Sequence, residues 1–208
     1  HVELTRISQK AIGEIKTIKG VKEAQGRISM DVAMVTDDRE ENIIIRLISM
    51  PNKNEGINKL YIAAGKKEVL KNDNIILLRQ FAIDRDIKIG DSITPYINGR
   101  LHDIKISNIA YSPEYVYLME GEQSLMPSGG KFGVGFINEE FARSIYGDGA
   151  YYNEVLITLN DEKDTEPIIE TLEKSLKKYG VKRIIKRENQ LSNRMLNEKL
   201  MGFEKISK

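Results

Sequence analysis

The dipeptide Asn98-Gly99 is the feature of the sequence that most constrains the fold. Strand-like segments flank it at 91–97 and 101–109. A two-residue type I′ turn needs a positive φ angle at both central positions, and Asn followed by Gly meets this requirement. The dipeptide therefore predicts a tight β-hairpin with Gly99 at positive φ, within a β-rich region in the middle of the chain.

Composition excludes several classes of protein. The chain has 208 residues, of which 40% are hydrophobic, and this supplies enough apolar material for a folded core. Lys and Arg number 32 against 31 Asp and Glu, and the basic residues form no stripe, so nucleic-acid binding is not predicted. The absence of Cys excludes disulfides, thiolate metal sites and Cys nucleophiles.

No membrane span or signal peptide is predicted within the sequence. The longest apolar runs have only a few residues, as at 43–45, whereas a span needs about 20. The chain starts at His1, without the basic start and apolar core of a signal peptide. We therefore expect the sequence to be a piece of a longer chain.

Apolar spacing predicts a helix from residue 4 to residue 18, which Gly20 would end. Its apolar residues recur every three or four positions and would share one face: Leu4, Ile7, Ala11, Ile15 and Ile18. Alternating residues at 28–34 predict a first strand, and 42–50 predicts a second strand that Pro51 ends.

The last third of the chain repeats this order of elements. A strand at 154–159 precedes a helix, with Asp164 as the predicted N-cap, Pro167 in the first turn and Gly180 after the end. The segments IKGVKEA at 18–24 and KYGVKRI at 178–184 both join a helix to a strand through Gly, Val and Lys. We interpret them as an internal repeat, with coincidence as the alternative because such joints are common.

Two helix–strand units of this kind predict an α+β fold. A two-layer α/β subdomain would consist of residues 1–60 and 151–208, and a β-rich subdomain at 61–150 would be inserted into it. Within the insertion the sequence predicts strands at 75–78 and 131–137 and a short helix at 79–86, with Phe81 and Ala82 facing inward. A further helix would begin after Asn138 and end at Gly147.

No catalytic, cofactor or metal site is predicted. The sequence has two histidines, and we interpret His102 as a solvated strand residue. The pair Glu139-Glu140 suits a helix N-terminus, and the acidic segment 37–41 lacks the ligand spacing of a calcium loop. The segment PSGGKFGVGF at 127–136 lacks the spacing of a phosphate or dinucleotide site, so we interpret it as a flexible turn feeding a strand.

Neither terminal helix has the expected boundary signal. The first lacks a cap at its start, and the last, from about residue 190, lacks a stop signal at its end. The last helix is predicted from an apolar stripe: Leu191, Met195, Leu196, Leu200 and Phe203. We expect both helices to continue in a longer chain; the alternative is two surface helices with frayed ends.

Several short motifs follow one another along nearly the whole chain. The clearest is AIDRDIKIGDSI at 82–93, and the segment ISNI at 106–109 has Asn108 where a Gly is usual in the related motif. The others are Gly20-Val21, Gly26-Arg27, IAAGK at 62–66, SPEYVY at 112–117 and KFGV at 131–134. Their order resembles the extracytoplasmic domain of MacB/FtsX-like ABC transporter permeases, and the large clostridial-type members in particular.

The resemblance implies a porter-like α/β subdomain with terminal stalk helices, outside the cell membrane between the first two transmembrane helices. It implies no catalytic residue, cofactor or metal ion. The implied partners are transmembrane helices of the same chain, a separate cytoplasmic ABC ATPase subunit, and a second permease copy or an extracellular protein or peptide. The implied function is to couple transmembrane helix motion to export, substrate handling or partner contact.

On this interpretation the insertion presents a contact surface. We predict that the surface includes Tyr96, Asn98, Gly99, Arg100, His102, Tyr111, Tyr115 and Tyr117. Two other classes stay open: a stand-alone extracytoplasmic sensor or binding module, and an enzyme with an unrecognised site. A pocket with convergent polar groups would favour the enzyme, whereas apolar runs of about 20 residues on both sides of the sequence would favour the permease.

Overall fold

The computed structural model describes residues 1–36, 41–65, 70, 74–116, 129–147, 149, 151–161 and 165–190. Strands and helices alternate irregularly along this part of the chain, and the fold is α+β, as predicted. In chain order the elements are β1 (Val2–Ser8), α1 (Gln9–Lys16), β2 (Val21–Arg27), β3 (Ser29–Val35), β4 (Ile43–Met50), β5 (Tyr61–Gly65), β6 (Asn74–Leu78), α2 (Arg79–Asp84), β7 (Ser92–Ile97), β8 (Arg100–Leu101), β9 (Ile104–Tyr111), β10 (Phe132–Asn138), α3 (Glu139–Tyr146), β11 (Tyr151–Leu159), α4 (Thr165–Leu176) and β12 (Val181–Ile184).

The first two and the last two strands form a four-stranded sheet in the order β12-β1-β11-β2. All its pairings are antiparallel. With α1 and α4 as the connections, this is the split βαβ arrangement of ferredoxin-like folds. Helix α1 packs so closely on the sheet that a Cβ added at Gly26 of β2 would lie only 2.3 Å from Cδ1 of Ile12 in α1.

The remaining eight strands form a second sheet, and six of these strands close into a ring. The ring runs β9-β6-β10-β4-β3-β7, and it closes because β7 pairs with both β3 and β9. We call this ring the barrel; β5 extends it at β9, and β8 extends it at β7. Phe81 of α2 is buried against Gly133 of β10, as the predicted inward orientation of Phe81 requires.

The predicted helix from residue 4 to residue 18 is wrong in its first half. Residues 2–8 form β1, a central strand, and helix α1 begins at Gln9 with Ser8 as its N-cap. The pairing of β1 with β11 shifts register between Glu3 and Ile7. This irregularity separates the buried residues Leu4 and Ile7 by three positions, which imitates helical spacing in the sequence.

One further prediction is confirmed and one expectation needs correction. The strand predicted at 131–137 is present as β10, which is fully buried between β4 and β6. The strands near 28–34 and 42–50 do not share a sheet with the terminal units as expected, because β3 and β4 pair in the barrel. The change from one sheet to the other falls between Arg27 and Ser29, and the division into subdomains itself stays a prediction.

Several local predictions are confirmed. The side chain of Asn138 caps α3, accepting from the backbone N–H groups of Glu140 and Phe141, and Gly147 ends this helix at φ 78°. The paired Gly-Val joints are also present, with Gly20 and Gly180 at positive φ before β2 and β12. Asp164, the acidic residues at 37–40 and the predicted helix beyond residue 190 lie outside the described residues.

Candidate functional site

The predicted hairpin is present with the predicted turn. Asn98 has φ 49° and Gly99 has φ 80°, and the two turn residues separate paired strands in which Tyr96 faces Leu101. Nδ2 of Asn98 donates to the carbonyl oxygen of Ile145 at 2.6 Å, at the C-terminal end of α3. The turn is therefore fixed against a helix rather than extended freely into solvent.

The candidate residues of the hairpin fall into two groups. The ring of His102 lies 6.5 Å from the ring of Phe141, so His102 and Asn98 both face α3. Tyr96 is 52% exposed and Leu101 is 57% exposed, and Arg100 is exposed beside them. The outer surface of the hairpin is formed by Tyr96, Arg100 and Leu101, of which Leu101 was not among the predicted contact residues.

The other predicted contact residues lie elsewhere. Tyr111 ends β9 and packs against Tyr61 with ring centroids 6.1 Å apart, while the guanidinium carbon of Arg79 lies 5.4 Å from the Tyr111 centroid. Burial and the charge of Glu114 raise the pKa of Tyr115 well above its ordinary value, so this residue lies at an internal charged cluster. Tyr117 lies outside the described residues.

That charged cluster occupies the junction between the two sheets. Arg27, the last residue of β2, is 3% exposed. Its Nε donates to Oε2 of Glu154 at 2.5 Å, and its two terminal nitrogens donate to the carboxylate of Glu114 at 2.7 and 2.6 Å. Glu154 belongs to β11, whereas Glu114 follows the barrel strand β9, so one guanidinium joins both sheets.

The three groups of this cluster keep one another ionised. Burial alone would lower the pKa of Arg27, but the charges of Glu114 and Glu154 outweigh burial and raise it well above its ordinary value. Burial alone would raise the pKa of Glu114 and Glu154, but the nearby Arg27 lowers both. Buried charges of this kind persist only when they are paired and hydrogen-bonded.

Further hydrogen bonds fasten the same junction. Asn153 of β11 makes two bonds to the backbone of Ser29 in β3, at 2.8 and 2.7 Å. The backbone N–H of Ile28 donates to Oγ of Ser49 at 2.7 Å. These contacts join the four-stranded sheet to the barrel immediately beside the Arg27 cluster.

A segment between β4 and β5 covers the junction. Nδ2 of Asn58 donates to Glu114 at 3.1 Å, and Oε1 of Gln25 accepts from the backbone N–H of Ile57 at 2.9 Å. The cavity between this segment, Arg27 and Glu114 measures about 30 Å³, room for only a few water molecules. Small-molecule sites usually measure about 300–1,000 Å³, so this cavity does not suit a substrate.

The sequence alone does not predict this cluster, for a physical reason. Arg27 is 87 positions from Glu114 and 127 positions from Glu154, and no local pattern connects residues so distant. The one local signal is Glu154 itself, a charged residue in the predominantly apolar strand β11. The imidazole of His1 also lies beside the cluster, with its Nε2 atom 3.6 Å from Oε2 of Glu154.

Comparison with solved structures identifies the fold. The chain is similar to the extracellular domain of the noncanonic ABC-type transporter YknZ from Gram-positive bacteria, with a TM-score of 0.54 and 13% identity, over 85% of this chain and 86% of that chain. It is also similar to the periplasmic region of MacB from Actinobacillus actinomycetemcomitans, with a TM-score of 0.51 and 10% identity, over 87% of this chain and 78% of that chain.

Sequence comparison adds nothing to this result, since no protein-family model and no curated protein matches the chain. At the identities found among solved structures, the likeness shows a shared fold. Within the described residues, no helix is both long enough and apolar enough to cross a membrane.

Proposed function

We propose that this chain is a non-catalytic extracytoplasmic domain of an ABC transporter permease at the cell membrane. In this role it couples the motion of transmembrane helices to export, substrate handling or partner contact. The observation that carries the proposal is the fold, shared with the extracellular domain of YknZ and the periplasmic region of MacB over 85% and 87% of the chain.

The positions of His1 and of the end of β12 support this proposal. The backbone nitrogen of His1 donates to the carbonyl oxygen of Ile185 at 3.0 Å, and the N–H of Ile185 donates to the carbonyl oxygen of His1 at 2.8 Å. The start of β1 and the end of β12 therefore lie side by side, as expected for a domain between two membrane helices. Motion of those helices would act on two neighbouring strands of one sheet.

The junction supports the coupling role. A force applied to β1 or β12 reaches β11 and β2 through the sheet pairings, and Arg27 at the end of β2 is bonded to Glu114 beyond the barrel strand β9. A buried, hydrogen-bonded charge cluster favours one relative placement of the two sheets. The barrel would then move with the four-stranded sheet as one body.

The proposed partners follow from the same role. They are transmembrane helices of the same chain, a separate cytoplasmic ABC ATPase subunit, and a second permease copy or an extracellular protein or peptide. The outer surface of the hairpin, formed by Tyr96, Arg100 and Leu101, is the proposed contact point for the extracellular partner, since aromatic and Arg side chains supply much of the binding energy at interfaces.

A cysteine-labelling experiment tests the location. The sequence contains no Cys, so Arg100→Cys introduces a unique thiol in this domain at an exposed position. In intact cells that express the full-length protein, a membrane-impermeant maleimide should label this variant. Ile137→Cys, at a residue with 0% exposure, is the matched control and should stay unlabelled. Labelling of Arg100→Cys only after permeabilisation would contradict the proposal.

A further inference from the structure

A row of four charged residues crosses the whole four-stranded sheet. Arg183 of β12 pairs with Glu3 of β1, Glu3 pairs with Glu154 of β11, and Glu154 pairs with Arg27 of β2. Each Arg binds the Glu beside it. The two central residues are carboxylates placed directly opposite each other, an arrangement that destabilises a sheet unless a positive charge lies between them.

His1 lies at the centre of this row. Its Nε2 atom is fully buried and has no hydrogen-bond partner among the described residues. The atom lies 3.6 Å from Oε2 of Glu154 and 3.8 Å from Oε1 of Glu3. A hydrogen bond from an imidazolium to a carboxylate would bring nitrogen and oxygen to about 2.7–2.9 Å, so neither distance is a hydrogen bond.

The distances between the imidazole nitrogen and the two carboxylate oxygens are close to those between ligands of a shared ion. Two ligand atoms bound at about 2.0–2.1 Å in tetrahedral geometry lie about 3.3 Å apart. The ligand atoms of His1, Glu3 and Glu154 all lie within 4.8 Å of one another, so a shared ion requires each pair to approach by no more than about 1.5 Å. A carboxylate that ligates a metal commonly accepts a further hydrogen bond, here from Arg27 or Arg183.

We propose that His1, Glu3 and Glu154 form a binding site for a divalent transition-metal ion of the zinc class. One imidazole nitrogen and two carboxylate oxygens are a ligand set that suits Zn²⁺, with water in the fourth position. The ion would join β1 to β11 beside the point where the chain enters and leaves the sheet. The proposal does not depend on the proposed transporter function.

Calorimetric titration with Zn²⁺ tests the site. Because a free terminal amine beside His1 could itself chelate zinc, the chain is prepared with its N-terminus acetylated. We expect one ion per chain, and we expect His1→Gln to weaken binding by more than about tenfold, the smallest effect usual for groups that merely orient ligands. His102→Gln is the matched control, since His102 is the other histidine of the sequence and should leave binding unchanged.

Glu3→Gln tests a second ligand in a variant that should fold, because Glu3 is paired with the half-exposed Arg183. We expect a similar loss of zinc affinity with an unchanged circular-dichroism spectrum. Ca²⁺, which prefers oxygen ligands, should bind far more weakly than Zn²⁺. Three results would each overturn the proposal: no zinc binding at micromolar concentrations, equal binding by His1→Gln, or binding that requires the free amine.

Discussion

The two sheets place the same chemistry in opposite environments. On the barrel, Arg46 and Asp31 form a bidentate pair whose side chains are 29% and 45% exposed. At the junction, Arg27 and Glu114 form a pair whose side chains are 4% and 6% exposed. An exposed pair contributes little to stability, whereas a buried pair mainly penalises every arrangement in which it is broken. The junction pair therefore specifies how the two sheets meet.

Replacement of the buried arginine should produce the largest difference between the two regions. Arg27→Met leaves the carboxylates of Glu114 and Glu154 buried without their cation, and we expect the free energy of unfolding to fall by about 3–5 kcal/mol. Urea unfolding at neutral pH measures this loss.

Arg46→Met is the matched control on the barrel. It removes a guanidinium from a partly exposed bidentate pair, and we expect a loss of about 0–1 kcal/mol. Equal losses in the two variants would show that burial of the Arg27 cluster has no special role in holding the sheets together.

Acid should weaken the junction in a smaller and graded way. Arg27 lowers the pKa of Glu114 in the folded protein, so Glu114 contributes stability above its unfolded pKa, and this contribution is lost as the pH falls through the folded pKa. The effect should be smaller than that of Arg27→Met, because a protonated carboxyl group still accepts a hydrogen bond.

The isosteric variant Glu114→Gln isolates this contribution from the other acidic groups. At neutral pH we expect the unmodified chain to have the larger free energy of unfolding, and we expect the difference to shrink as the pH falls below about 4. A difference that stays constant down to strongly acidic pH would mean that the charge of Glu114 does not stabilise the junction.

Substitution of two close-packed glycines allows the interiors of the two regions to be compared. A Cβ at Gly135 in the barrel would lie 2.2 Å from Cδ1 of Ile75. A Cβ at Gly26 in the four-stranded sheet would lie 2.3 Å from Cδ1 of Ile12 and 2.8 Å from the ring of Tyr152. We expect each Gly→Ala change to lower the free energy of unfolding by about 1–3 kcal/mol, with the larger loss at Gly26 because an aromatic ring yields less than the end of an Ile side chain.

Gly13→Ala is the control for these changes. Gly13 lies inside α1, and a Cβ added there would find no atom within 4 Å, so the substitution should stabilise the protein by about 0.5–1 kcal/mol through helix propensity. A larger loss at Gly135 than at Gly26 would reverse our ranking of the two interiors.

Local chemistry made part of the fold predictable. Asn138 and Gly147 delimit α3, and Asn98-Gly99 forms its turn, because each of these residues acts on backbone groups only a few positions away. Strand β1 was misassigned since its register shift gives a helical spacing of apolar residues. Closure of the barrel depends on β7 pairing with both β3 and β9, which no single segment encodes.

The candidate site was predictable to a smaller extent. Tyr96 and Arg100, two of the predicted contact residues, are exposed on the outer surface of the hairpin. Alternation along β7 accounts for the exposure of Tyr96. The sequence could not indicate that Asn98 binds the end of α3, or that Arg27 meets Glu114 and Glu154, since each of these contacts joins distant segments.

A further expected effect on stability concerns the hairpin turn itself. Gly99 has φ 80°, and a Cβ there would find open space, with Oη of Tyr96 at 4.0 Å as its nearest neighbour. The cost of Gly99→Val is therefore backbone strain alone, and we expect a loss of about 1–2 kcal/mol in the free energy of unfolding. The four-stranded sheet should keep its hydrogen-exchange protection, because it does not contact the turn through any sheet pairing.

The Gly99→Val variant also distinguishes a hairpin that presents a contact surface from one that only supports the fold. If the hairpin carries the contact surface, Gly99→Val should reduce transport by the full-length protein more than it reduces the amount of folded protein. Gly99→Asn is the matched variant, because Asn tolerates a positive φ angle and should preserve both quantities better than Val does. Equal losses of transport and folding would mean that the hairpin is only scaffold, and full transport with a disrupted hairpin would exclude the contact role of Tyr96, Arg100 and Leu101.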